Sequence, residues 1–179
     1  MSQKKEPQLS PEETLRQEIE RVVKSSEEYG REHSGDSGRA AAILIAADFE
    51  NVLQAKIEDE FVKLNREDRD TLFDGHGALS TFSAKIEIGY ALGLYGRKTR
   101  NRLRVAKNIR DDFAHAAEPL DFDASSISNH CKKLEPNSAN NSDDPRERYS
   151  CYLGEVKYHL EHASAANAIP DRHNLPPLP

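Results

Sequence analysis

Residues 39 to 64 read RAAAILIAADFENVLQAKIEDEFVKL. Ile43, Leu44, Ala47, Val52, Leu53, Ile57, Phe61 and Leu64 recur at steps of three, four and their multiples, which predicts one long helix with a wide apolar stripe. A helix that apolar must be covered on several sides, so it reads as the spine of a helical domain. Asp48 and Glu50 lie within its most apolar part, where either carboxylate is placed to face a cation from another helix.

Working outward, other helices announce themselves. Ser10-Pro11-Glu12-Glu13 joins a serine cap, a proline in the first turn and a glutamate three after the cap, ahead of Leu15, Ile19, Val22 and Val23. Ser80 or Thr81 caps a helix carrying Phe82, Ile86, Tyr90 and Leu94, with Gly89, Gly93 and Gly96 marking close contact or a stop. A basic helix follows from about Thr99 to His115, with Leu103, Ala106, Ile109, Phe113 and Ala114 on its inner side. After Pro119, Ile127, Cys131 and Leu134 mark a short helix. Asp144-Pro145-Arg146-Glu147 then starts a last one bearing Tyr149, Leu153, Val156, Leu160 and Ala163.

The expected architecture is all-α, a single-domain bundle of about six helices spanning residues 10–166. A disordered lead covers 1–9 and a proline-rich extended tail 167–179. The stretch NREDRDTLFDGHGALS reads as a loop bent at Gly75 and Gly77. Those glycines do not make a phosphate loop, because the lysine and hydroxyl that should follow are missing.

Bulk properties narrow the function. The 179 residues suit one domain with a real core. With 31% charged residues and a mean hydropathy of -0.79, no run is apolar enough for a membrane span. The opening MSQKKEPQ lacks the apolar segment of a signal peptide, so a cytoplasmic protein is expected. Cys131 and Cys151 lack paired spacing and read as buried free thiols. No cofactor or metal site is predicted; His159 and His162, one turn apart, have no carboxylate pattern to complete one.

The net charge of -6 disfavours phosphate binding by the surface as a whole. Yet Arg97 to Arg110 holds seven basic residues and no acidic one, leaving the remainder of the chain at -13. Arg97, Lys98, Arg100, Arg102, Arg104 and Lys107 are therefore candidate nucleic-acid contacts. The first four crowd a helix start, where the dipole disfavours cations, so something must offset them.

Two stretches, LFDGHGALSTFSAKIEIGYALGL at 72–94 and NIRDDFAHAAEPLDF at 108–122, together resemble the mannitol operon repressor family of bacterial all-helical proteins. The resemblance spans roughly residues 40–135. It implies a transcriptional regulator acting through protein partners, and no helix-turn-helix, zinc finger or basic zipper is present to read bases directly. Arg110 and His115 also match the R-x-x-x-x-H motif of the HEPN superfamily, which includes metal-independent, dimeric endoribonucleases. That resemblance implies a homodimer in which His115 assists attack of a ribose 2′-hydroxyl and Arg110 stabilises the developing charge. Asp111 departs from the polar residue, commonly asparagine, that follows the arginine in many such motifs; it is read, with Asp48 and Glu50 of the long helix, as a supporting carboxylate. The spacing alone is weak, since 14 arginines and 7 histidines produce it by chance in roughly half of such chains. The readings without catalysis, a regulator or a non-catalytic helical scaffold, have Arg110 paired with Asp48 or Glu50 in the interior and His115 capping its own helix end.

Overall fold

The computed structural model describes residues 11–33, 37–135 and 142–162. The protein is all-helical: α1 (Pro11–Glu32), α2 (Gly38–Asp59), α3 (Arg66–Phe73), α4 (Phe82–Ala91), α5 (Arg97–His115), α6 (Ser125–Cys131) and α7 (Pro145–His162). The lead before Pro11, the tail from 163 and Ala163 itself lie outside the described residues.

Helix α2 is the spine, in contact with α4, α5 and α7. Ala41, Ala42, Ile45, Ala46, Phe49, Leu53 and Ile57 face inward and are all but inaccessible. Two members of the predicted stripe, Leu44 and Ala47, are instead exposed on its outer face. The run ILIAA is apolar on every side, so periodicity alone does not fix which side is covered. The helix also stops at Asp59, so Phe61 and Leu64 pack against the core from the connection beyond it.

The helix directions follow from named contacts. The Tyr149 hydroxyl donates to the Ala42 carbonyl (3.1 Å) and Lys157 pairs with Asp48 (2.6 Å), so α7 runs parallel to α2. Arg39 donates to the Ala114 carbonyl (2.9 Å) while Arg110 reaches Glu50, so α5 is antiparallel to α2. Helix α1 lies along α7, where a Cβ on Gly154 would come within 3.1 Å of the Ser26 Cα; glycine permits that approach. Buried tyrosines stitch the bundle, because a hydroxyl removed from water must find an acceptor. Tyr29 donates to the Ile45 carbonyl and Tyr95 to that of Ile86.

Helix α3 stands where the sequence pattern predicts a loop. Its eight residues carry one buried apolar side chain, Phe73, so no stripe betrays it. What forms it is local: the Asn65 side chain accepts from the Asp68 N–H (3.0 Å), and Glu67 and Asp68 suit the positive end of the helix. The following turn is as expected, with Gly75 at φ +56°, and a Cβ on Gly77 would strike the Leu72 carbonyl at 2.4 Å. Thr81, the predicted alternative to Ser80, is the cap of α4.

One titration is built into the α1–α7 seam. Burial holds the His159 imidazole below its ordinary pKa, partly opposed by the Glu18 carboxylate, and its Nε2 is solvent-inaccessible without a hydrogen-bond partner. A histidine whose folded pKa is depressed gives its full support above the unfolded value of about 6.5 and loses it as pH falls below that. Thermal unfolding is therefore expected to shift to lower temperature between pH 7 and pH 5, and His159→Gln to remove part of that slope. An unchanged slope in the variant would contradict this.

Candidate functional site

Helix α5 carries most of the candidate residues. It begins at Arg97, two residues before the expected start, after a Gly96 that makes no side-chain cap. Leu103, Ala106, Ile109 and Phe113 turn inward, which places Arg110 at the boundary between the core and solvent.

Arg110 points toward α2. Its guanidinium donates to Asp111 at 2.9 Å and to Glu50 at 3.4 Å, and it lies over the Phe82 ring at 6.0 Å. The other oxygen of Glu50 accepts from Lys85 on α4 at 2.8 Å. The Lys85 and Glu50 side chains are 7% and 15% exposed, against 30% for Arg110. The cluster is thus a nearly buried lysine–glutamate pair with an arginine on its solvent side. Removing charges from water is costly and only tight pairing compensates, so Glu50 is set to hold two cations in place. Asp111 in turn holds Lys107 at 2.6 Å. Asp48, the other candidate partner, does not face Arg110. It pairs with Lys157, whose ammonium also sits 4.8 Å from the Tyr29 ring centroid.

His115 is the last residue of α5 and is exposed. Five residues along a regular helix correspond to a rotation of about 140° and a rise of about 7.5 Å, so Arg110 and His115 leave the helix on different sides. Of the last carbonyls of α5, that of Ala114 accepts from Arg39 of α2.

The basic residues are largely met within the chain. Glu87 of α4 takes Arg100 (3.2 Å) and Arg104 (2.7 Å), and Arg100 also stacks 4.6 Å above Tyr90. Glu135, just past α6, takes Arg102 and Lys98, the latter at 4.0 Å. These carboxylates offset part of the charge crowded at a cationic helix start. Arg97 stands exposed and makes no ion pair among the described residues.

Sequence pattern does not single out Lys85, Glu87, Glu135 or Lys157. Only Lys85 leaves a signal: it shares the inward phase of Phe82, Ile86 and Gly89, a lysine in a position meant for an apolar side chain. Arg69, on α3, is likewise held within the chain, by Glu58 at 2.9 Å.

The remaining chemistry is sparse. Burial pushes the Cys131 thiol up to about 12 and the Cys151 thiol up to about 11, away from nucleophilic thiolate. Both are free and buried. Among the described residues, no group of three or more histidine, cysteine or carboxylate side chains is placed to hold a metal ion. A cleft of about 590 Å³ between α1 and the start of α7 is lined by Glu27, Arg31, Asp144 and Arg146 among others, none of them a candidate site residue. No protein-family model, curated protein or solved structure significantly matches the chain.

Proposed function

We propose that this protein is a transcriptional regulator of the mannitol-repressor kind, acting in the cytoplasm through protein partners and without cleaving RNA. The observation that carries the reading is the engagement of Arg110 by Glu50 and Asp111, with Lys85 on the far side of Glu50. An arginine that stabilises a phosphorane-like transition state must offer its donor fork to the substrate. Here that fork is turned to two carboxylates of its own chain, and a third party with negative charge meets Glu50 and Asp111 beside it. The divergence of His115 from Arg110 on one helix supports the same conclusion. The pairing of the α5 cations with Glu87 and Glu135 supports contact with proteins over phosphate-backbone binding. The proposal includes a homodimer, for which Leu44, 47% exposed on the outer face of α2, offers an apolar contact.

The test is incubation of the purified protein with labelled RNA in EDTA, beside an Arg110→Ala/His115→Ala variant. Intact RNA with both proteins is the expected result. Cleavage by the unsubstituted protein alone, leaving 2′,3′-cyclic phosphate ends, contradicts the proposal and establishes the ribonuclease alternative.

A further inference from the structure

We propose that the exposed row formed by Arg97, Asn101, Arg104 and Asn108 on α5 is a docking surface for an acidic helical segment of a partner protein. The inference rests on the partner-mediated reading above and supplies the chemistry of the partner. Steps of four, three and four place these side chains on one stripe of the helix, and all four are exposed. Their polar groups are donors and charges, with the two asparagines able both to donate and to accept.

The electrostatics of the stripe are unbalanced even after internal pairing. On this face Glu87 is shared between Arg104 of the row and Arg100 beside it, so one carboxylate offsets two cations. Arg97 adds a third at the helix start, where the dipole already opposes positive charge. An anionic partner laid along the row relieves both sources of strain.

The same surface discriminates among anions. Glu87 is 44% exposed beside the row, and Asp112, one further step of four along it, is also exposed. A phosphate backbone is negative along its whole length and is forced against those carboxylates. A helix bearing carboxylates at steps of three and four can meet Arg97 and Arg104, and place amides or cations over Glu87 and Asp112.

The experiment is fluorescence anisotropy with two labelled probes, a glutamate-rich helical peptide with carboxylates at steps of three and four, and an oligouridylate of similar length. The peptide is expected to bind, with affinity falling as salt is raised from about 50 to about 200 mM. Arg97→Glu/Asn101→Glu is expected to weaken binding at least about tenfold. The first of these substitutions puts a carboxylate at the start of a helix, where negative charge is favoured, so the fold should persist. Val62→Glu/Arg66→Glu adds the same charge at exposed positions around α3 and is expected to leave affinity within about twofold. Tighter binding of the oligouridylate, no binding of the peptide, or equal loss in both variants would overturn the proposal. If the peptide fails to bind while RNA stays intact, only this docking surface is lost; RNA cleavage defeats the regulator reading itself.

Discussion

Replacing Glu50 by alanine is expected to lower folding stability by about 3–5 kcal/mol, the cost of leaving a buried charge without its partner. Lys85, 7% exposed, loses its 2.8 Å hydrogen bond to a carboxylate, and Arg110 loses the contact that draws it toward α2. Helices α2, α4 and α5 all meet at this point, so the loss falls on the centre of the bundle. Arg110→Ala should cost far less, about 1 kcal/mol, because Lys85 still offsets Glu50 and the arginine is already part solvated. Urea denaturation reads both values. Equal costs for the two variants would show that Lys85 is not the inner partner.

Phe113→Ala is the second large effect, at about 3–5 kcal/mol for a fully buried aromatic ring. The Phe113 ring centroid lies 4.8 Å from that of Phe122, which in turn lies 5.7 Å from Tyr149. Phe122 belongs to the connection between α5 and α6, so this stack ties that connection to α7. The cavity left by alanine should also loosen the segment after His115. Faster amide exchange from Ala116 to Ala124 than elsewhere, alongside the lower denaturation midpoint, is the expected pattern; a stability loss below about 1 kcal/mol would contradict it.

How far this is legible in the sequence depends on what each element is made of. Helices α2, α4, α5 and α7 advertise themselves through apolar spacing and caps, and Thr81 caps α4 from one of two predicted positions. Helix α3 does not, since its stability comes from the Asn65 cap and one buried phenylalanine, with no stripe to be counted. The outward turn of Leu44 is hidden for the opposite reason, because ILIAA is apolar all round and only the packing partners choose its face. At the candidate site, the presence of a carboxylate opposite Arg110 is foreseeable, but the choice of Glu50 over Asp48 is not. Two residues apart on a helix, they diverge by about 200°, which sends Glu50 toward α4 and α5 and Asp48 toward α7. Glu87 and Glu135 lie outside the basic island in sequence, so their service to it emerges only on folding.

Arg110 is engaged from the interior by Glu50. A double-mutant cycle between Glu50→Gln and Arg110→Ala tests it, with stability measured by urea denaturation for the protein, both single variants and the double. A favourable coupling of about 0.5–2 kcal/mol is predicted for two residues sharing one charge network. Additive effects, with Arg110→Ala neutral or stabilising, would mean the guanidinium stands free for another role.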